Sequence, residues 1–410
     1  MRASDEAGNV ADPSHPVSIQ LADDLPPGRV TDLAAVFLTA TKATLRWTAP
    51  GGDGGSGRAA RYDLRFSESE ITEQTWGSAA RAEGLAPPDE PGTIQTHVVA
   101  GLLPSQSYHF ALKTLDERPN ESALSNIAQG TTFALGLTRL TTSTGGLGAS
   151  FPDWSPDGRS VLFSADWAGV GTRELYLVTV EDGTWRRLTE SEFSDFGRWS
   201  PDGDEILCRM GVPDGAATKT ELATISPTSG SVLRVLLSPG GQKLGRSAWS
   251  PSGERVAFSF AAAGFPSTVQ ELRVLAATGG DVTVLRATGD AIGSMDWSPD
   301  GHRIALSADG TGDTGIWLVD VATGENTRLT TGLGGDTSPR WSPDGSQILF
   351  SSDRAGNFDL WLMGADGSNP RALTSEPVIE ASGTWSPDGS RVAFVKYQGS
   401  TADIWVLDLE

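Results

Sequence analysis

Trp341-Ser342-Pro343-Asp344-Gly345 is one of six copies of a single phrase in this chain. The same five residues start at Trp154, Trp199, Trp297 and Trp385, and Trp249 opens the variant Trp-Ser-Pro-Ser-Gly. Successive tryptophans are 45, 50, 48, 44 and 44 residues apart. Self-similarity at such a period marks a propeller or a solenoid, in which one supersecondary unit is stacked on its neighbours. A short strand leads into each phrase and a second follows it, such as Arg303-Ile304-Ala305-Leu306 or Arg391-Val392-Ala393-Phe394. A third strand comes next, as in Leu360-Trp361-Leu362-Met363 and Ile404-Trp405-Val406-Leu407. A fourth ends on Arg-Leu-Thr or a near relative, at Arg187 to Thr189, Arg328 to Thr330 and Arg371 to Thr374. Four strands per repeat and six repeats predict six blades.

The turn chemistry fits that prediction. Proline presets φ at the first central position of a type I turn, aspartate bonds backbone amides, and glycine takes the left-handed position that closes the hairpin. The tryptophan before the turn has a large face to bury between blades, and its loss costs about 3–5 kcal/mol. The sixth repeat ends with its third strand, at Asp408-Leu409-Glu410. A fourth strand for it is expected far upstream, at Leu137-Thr138-Arg139-Leu140-Thr141, which carries the same Arg-Leu-Thr ending. Such closure removes exposed sheet edges that invite aggregation.

Composition narrows the function classes. The chain has 410 residues, 49 glycines, 24 prolines and a net charge of −21, from 52 acidic against 31 basic side chains. That balance argues against nucleic acid, which wants a basic face, and against an anionic membrane surface. No apolar run is long enough to span a bilayer. The single cysteine, Cys208, rules out an intrachain disulfide and reads as a small buried apolar residue.

Residues 25–133 read as a separate module. Short alternating strands such as Ala43-Thr44-Leu45-Arg46-Trp47, Tyr62-Asp63-Leu64-Arg65-Phe66 and Tyr108-His109-Phe110-Ala111-Leu112 alternate with turn-rich stretches, the pattern of a β-sandwich. In its opening Pro27-Gly28-Arg29-Val30-Thr31-Asp32-Leu33, its Trp47 strand, and Gly101-Leu102-Leu103-Pro104 followed by Tyr108, it resembles a fibronectin type III module. The resemblance implies a spacer or adhesion unit of immunoglobulin-like fold. Residues 1–24 are expected to be the tail of a truncated preceding module or a linker. Asp5-Glu6-Ala7-Gly8-Asn9 there parallels Asp116-Glu117-Arg118-Pro119-Asn120 at the end of the fibronectin-like stretch. On that expectation the absence of a signal peptide at Met1 says nothing about localisation.

Residues 135–410 carry a second resemblance. Pro-x-Trp-Ser-Pro-Asp-Gly, then Ile-Leu-Phe-Ser-Ser-Asp-Arg, Asp-Leu-Trp-Leu-Met and Arg-Ala-Leu-Thr, all present between Pro339 and Thr374, are similar to the repeats of TolB-type β-propellers. The resemblance implies a bacterial, periplasmic or secreted, propeller scaffold that binds protein partners at the cell envelope. Here a fibronectin-like module stands where TolB has an α/β domain, so a Tol–Pal role does not carry over with the fold.

Catalytic machinery is not evident. Related propellers gate prolyl-oligopeptidase-like peptidases, but no Gly-x-Ser-x-Gly elbow occurs here. His15, His97, His109 and His302 show neither triad partners nor metal-ligand spacing. One constellation stands above background. Glu174, Glu221, Glu271, Asp359 and Asp403 each begin the third strand of a repeat, and Gly315 breaks the set in the fourth. The loops leading into the first strands add Asp195, Arg198, Arg246, Asp290, Asp336, Arg340 and Glu380 on the same face. Two readings follow: a negatively biased funnel mouth for a cationic peptide or a divalent ion, or carboxylates repeated for structure, bonding turn amides or arginines. Asp353, Asn357 and Asp359 offer oxygen ligands for calcium, although their spacing is not that of an EF-hand.

The sequence therefore predicts an all-β chain, a six-bladed propeller after a β-sandwich, with no cofactor and no catalytic residues. The expected role is a non-catalytic, extracytoplasmic binding scaffold for a protein or peptide, with a cell-wall glycan left open as ligand. The rival is an enzyme-associated propeller, glycan-active or the gating part of a prolyl-oligopeptidase-like peptidase.

Overall fold

The computed structural model describes residues 25–409 apart from 40, 54–55, 119, 133–135, 144–147, 168–170, 192, 216, 241–242, 262–269, 288–290, 310–312 and 333. The expectation for residues 1–24 lies outside the described residues. The described chain is all-β, its one helical element a 3₁₀ turn at Trp76–Ser78. It falls into two compact units, one of residues up to 36, 44–100 and 107–131, the other of 37–43, 101–106 and 132 onward.

Before residue 132, two principal sheets share one core. Ala34–Leu38, Lys42–Thr48 and Ile94–Ala100 form a three-stranded sheet, and Ala80–Arg81, Arg61–Ser67, Ser107–Leu115 and Ala128–Thr131 a four-stranded one. Alternation places Leu45 and Trp47 inward on the first and Tyr62 and Leu64 inward on the second. Trp47 and Tyr62 meet edge to face, 5.2 Å between ring centroids, and the Tyr62 hydroxyl donates to Gln95 Oε1 at 2.6 Å.

The rest of the chain forms six four-stranded antiparallel sheets of propeller type. The first contains Ser150–Trp154, Ser160–Ala165, Glu174–Thr179 and Trp185–Arg187. The second contains Phe193–Trp199, Ile206–Asp214, Ala217–Ile225 and Val232–Leu237. The third contains Lys243–Trp249, Arg255–Ala261, Glu271–Ala276 and Val282–Ala287. The fourth contains Ile292–Trp297, Arg303–Asp309, Thr314–Asp320 and Asn326–Arg328. The fifth contains Asp336–Trp341, Gln347–Ser352, Asp359–Gly364 and Arg371–Ala372. The sixth takes Glu380–Trp385, Arg391–Gln398 and Thr401–Asp408 from the end of the chain and Leu137–Arg139 from far upstream. That upstream strand pairs with the last one in the register Leu137 to Leu407, Thr138 to Val406 and Arg139 to Trp405.

Each sheet packs on the next, and the sixth packs on the first. Val395, Ile404 and Val406 share one apolar cluster with Trp154, Val161 and Phe163. The turns repeat that order: a β-carbon at Gly203 would lie 3.7 Å from Pro156 of the preceding sheet, and one at Gly158 would lie 3.9 Å from Pro387. In five of the six turns the serine and aspartate lock one another. Ser342 donates to Asp344 Oδ1 at 2.6 Å, and that oxygen accepts the Ser346 amide at 3.0 Å. Gly345 takes φ of 70°, the left-handed position the turn requires. Nine residues after the repeat tryptophan, Phe163, Phe258, Phe350 and Phe394 are wholly buried. Cys208 occupies that same place in the second sheet, so its thiol is core, and burial pushes its pKa up to about 12.

Candidate functional site

Two sets of charges mark these sheets, one at the end opposite the Ser-Pro-Asp-Gly turns and one along the first strands, and they differ in kind. The outer set explains the Arg-Leu-Thr ending. In the first sheet Arg187 Nε donates to the Thr189 carbonyl at 2.7 Å, and the Thr189 hydroxyl oxygen accepts the Leu175 amide at 3.0 Å. Glu174 accepts from the Thr189 hydroxyl, from the Ser191 amide at 2.8 Å and from Arg187 at 3.4 Å. The sixth sheet repeats this across 264 residues of sequence. Arg139 Nη2 reaches Asp403 at 2.6 Å, and Arg139 Nε donates to the Thr141 carbonyl at 2.8 Å. In the fourth sheet Gly315 leaves the carboxylate position open, and a β-carbon there would lie 2.8 Å from Arg328. Arg328 occupies that space and pairs with Asp313 instead, at 2.6 Å.

The fifth sheet departs from this pattern. Its ending is Arg-Ala-Leu-Thr, which puts Arg371 three residues before the threonine rather than two, and Arg371 is exposed. Among the described residues Asp359 is thereby left without an ion pair. It is 2% exposed, and burial, with Glu380 beside it, raises its pKa. Glu380 pairs with the buried Lys396 at 3.1 Å.

The other predicted acids are also paired. Glu221 meets Lys219 at 3.0 Å and the Ser238 hydroxyl, and Glu271 meets Arg273 at 2.5 Å. Asp195 takes Arg209 through both oxygens, at 2.8 and 2.6 Å, and Asp336 takes Arg354 at 2.8 Å. Asp290 lies outside the described residues. Most of the predicted ring therefore consists of closed pairs rather than a free acidic mouth, because these carboxylates, Asp359 excepted, stand beside the cations that permit their burial. Asp353, Asn357 and Asp359 are not gathered as a ligand set. Asp353 Oδ1 accepts the Gly335 amide at 2.7 Å, and the Asn357 amide donates to the Glu376 and Val378 carbonyls. Among the described residues no three His, Cys, Asp or Glu side chains are grouped to hold a metal ion.

The inner set comes from the first strands. The residue before each repeat tryptophan is, in order, Asp153, Arg198, Ala248, Asp296, Arg340 and Thr384. Arg198 bridges Asp153 at 3.2 Å and Asp296 at 2.7 Å, reaching from the second sheet to the fourth past the small Ala248. The two aspartates also accept the Trp199 and Trp341 amides, at 2.8 and 2.9 Å. Burial raises the pKa of both against the opposing pull of Arg198. Burial alone would lower Arg198, but the two carboxylates outweigh it and hold its pKa above the ordinary value. Arg340 lies at the edge of this chain of charges, 3.8 Å from Asp296 and 3.2 Å from the Met295 carbonyl.

Beside this network opens a small pocket lined by Phe151, Phe196, Arg246, Ser247, Ser294 and Arg340, among others. The first strand of every sheet is bulged here, and Phe151 and Phe196 take φ of 53° and 55°. Ser338 and Ser382 share that conformation at the equivalent places, so the bulge belongs to the repeat, while the aromatic side chains belong only to the first two sheets. The Phe151 and Phe196 rings meet at 4.7 Å, and the Arg246 guanidinium rests 4.0 Å from one and 4.3 Å from the other. Among the described residues, that guanidinium forms no hydrogen bond or ion pair. Burial draws its pKa down to about 10, with Asp195 opposing and Arg209, Arg173 and Arg198 adding to the effect. Of the predicted residues, the pocket unites Arg198, Arg246 and Arg340. Phe151, Phe196, Asp153 and Asp296 were missed, although alignment of the six copies on their tryptophans exposes the Asp/Arg alternation.

Comparison with known proteins agrees with the fold. An 81-residue stretch is 36% identical to YuxL of Bacillus subtilis (strain 168), described as an uncharacterized peptidase. It spans 18% of this chain and 12% of that protein, so the chain matches only a small part of the relative. A gluconolactonase from Xanthomonas campestris superposes with a TM-score of 0.52 at 15% identity, over 67% of this chain and 89% of its own. TolB from Acinetobacter baumannii gives 0.49 at 16%, over 75% and 77%. At such identities the likeness is one of fold alone. No helix among the described residues is long and apolar enough to cross a membrane. Residues 230–410 match the model of the TolB beta propeller domain.

Proposed function

We propose that residues 135–410 form a closed six-bladed propeller, that residues 25–133 form a fibronectin type III-like spacer, and that the protein is a non-catalytic binding scaffold. On this reading it works in the periplasm or at the cell surface and holds a protein or peptide partner at the axial end of the propeller. Six sheets in cyclic contact support the blade count. The three- and four-stranded sheets sharing Trp47 and Tyr62 support the spacer. The observation that carries the binding role is Arg246, a charge held in a pocket on two aromatic rings with its donors unengaged among the described residues. A fold leaves such a charge unpaired at a cost, and binding sites are where such costs are met.

A second, enzymatic reading draws on one observation, the raised pKa of Asp359 beside Glu380, since paired carboxylates serve glycan hydrolysis. Lys396 neutralises Glu380, however, and the two carboxylates are 2% and 1% exposed. The two readings separate in one experiment on the whole chain. Fluorescein-labelled acidic, neutral and basic peptide pools are titrated by polarisation, beside chromogenic glycosides and peptidyl anilides. Saturable binding of a peptide pool without turnover supports the scaffold. Turnover that Asp359→Asn abolishes replaces it with the enzyme.

A further inference from the structure

We infer that the pocket bounded by Phe151, Phe196 and Arg246 is a carboxylate-binding site, made for an acidic side chain or the C-terminal carboxylate of a peptide. The peptide as carrier rests on the scaffold reading above; the carboxylate chemistry rests on the pocket alone.

Charge is the first argument. Five guanidinium groups converge here, from Arg173, Arg198, Arg209, Arg246 and Arg340, against three carboxylates, Asp153, Asp195 and Asp296. Each of those carboxylates is committed, Asp195 to Arg209 and the other two to Arg198. Arg173 lies 5.7 Å from the Phe151 ring and donates to the Ser150 hydroxyl. In a chain of net charge −21, this is a local positive excess within a partly desolvated pocket, where an opposite charge is attracted far more strongly than at the surface.

Geometry is the second. A guanidinium carries five N–H donors around its edge in one plane. The two phenylalanine rings rest against Arg246 and hold it in place, which leaves a planar fork ready for two oxygens of a carboxylate. Ser247 and Ser294 line the same pocket and can supply neutral donors. The cavity itself is small, about 20 Å³, room for little more than one water and far below the range of pockets that enclose whole small molecules. It suits a charged group at the end of a chain.

The test uses arginine side-chain 15N NMR on the full-length protein, which reads weak binding directly at the Nε–H of Arg246. The probes are Ac-Gly-Gly-Glu-NH2, Ac-Gly-Gly-Gly-OH, the uncharged Ac-Gly-Gly-Gln-NH2 and inorganic phosphate. Both carboxylate peptides should shift the Arg246 resonance and bind roughly 10- to 100-fold more tightly than the glutamine analogue. Comparison of the first two tells a side-chain from a terminal carboxylate. Arg246→Gln should lose the same factor, with Arg246→Lys in between and an unchanged melting midpoint in both variants. Equal binding of the glutamine analogue, or unaltered carboxylate binding by Arg246→Gln, overturns the inference while leaving the scaffold reading intact. Phosphate binding as tightly as the carboxylate peptides makes the pocket a general anion site instead. Failure of every peptide pool in the polarisation titration, with no Arg246 shift from any probe, removes both.

Discussion

The Arg-Leu-Thr clamps and the Phe151–Phe196–Arg246 pocket both gather charged groups, yet one set is closed and the other open. In the clamps a carboxylate, an arginine and a threonine satisfy one another, and the device recurs in the first, fourth and sixth sheets with the same donors. In the pocket a guanidinium stands on aromatic faces and, among the described residues, forms no hydrogen bond or ion pair. The closed set is repeated and the open one occurs once. Repetition within a chain tracks the constraints of folding a repeat, so the departure from repetition is the better pointer to function.

The widest gap between the two kinds of charge should appear in stability. Arg198→Ala strips the buried Asp153 of its cation and leaves Asp296 with only the more distant Arg340, and should cost about 3–5 kcal/mol in urea unfolding. Asp403→Ala opens a clamp and should cost about 1–3 kcal/mol. Arg246→Leu removes only ring contacts and relieves a half-buried charge that has no ion pair among the described residues, so it should change stability by less than about 1 kcal/mol. A loss from Arg246→Leu as large as that from Asp403→Ala would erase the distinction drawn here.

Asp359 sharpens the comparison, because it is a clamp carboxylate whose arginine slipped by one residue. Its folded pKa is raised, so between its ordinary value and the folded one the native state holds the extra proton. Stability therefore falls as pH rises through the folded pKa, the reverse of a paired carboxylate. Asp359→Asn should raise the melting midpoint at pH 7, and the gain should vanish below pH 3.8. A drop at pH 7 would mean that Asp359 has a favourable partner after all.

The smallest effect belongs to the turn aspartates. Asp344 and Asp388 have their pKa lowered to about 2 by the serine hydroxyls and amides they accept from. Their contribution is complete above pH 3.8 and is lost as pH falls towards 2. Asp344→Asn should flatten the acid limb of a melting-midpoint profile slightly. In the third sheet, where Ser252 replaces the aspartate, Ser252→Asp should steepen it.

Much of this architecture was legible in the chain. The tryptophan period, the Ser-Pro-Asp-Gly turns and the alternation in each strand are written in neighbouring residues, and the Arg-Leu-Thr ending singled out residues 137–141, the stretch whose strand pairs beside Leu407. The acidic set was legible as a pattern, and pairing with arginines was one of its two readings, but nothing at Glu174 or Asp403 decides between them or names Arg187 and Arg139 as the partners. Gly315 breaks the acidic set in the sequence, and in the fold it makes room for Arg328.

What the sequence by itself determined is therefore the strand, the turn and the repeat, because each is set by φ/ψ preferences and side-chain alternation within a few residues. Tertiary structure alone decided which charges are neutralised and which is left free. Phe151, Phe196 and Arg246 lie on three different sheets, and they touch only because bulged first strands draw together at the centre of the propeller. That convergence depends on how the sheets pack, and no local stretch of sequence encodes it.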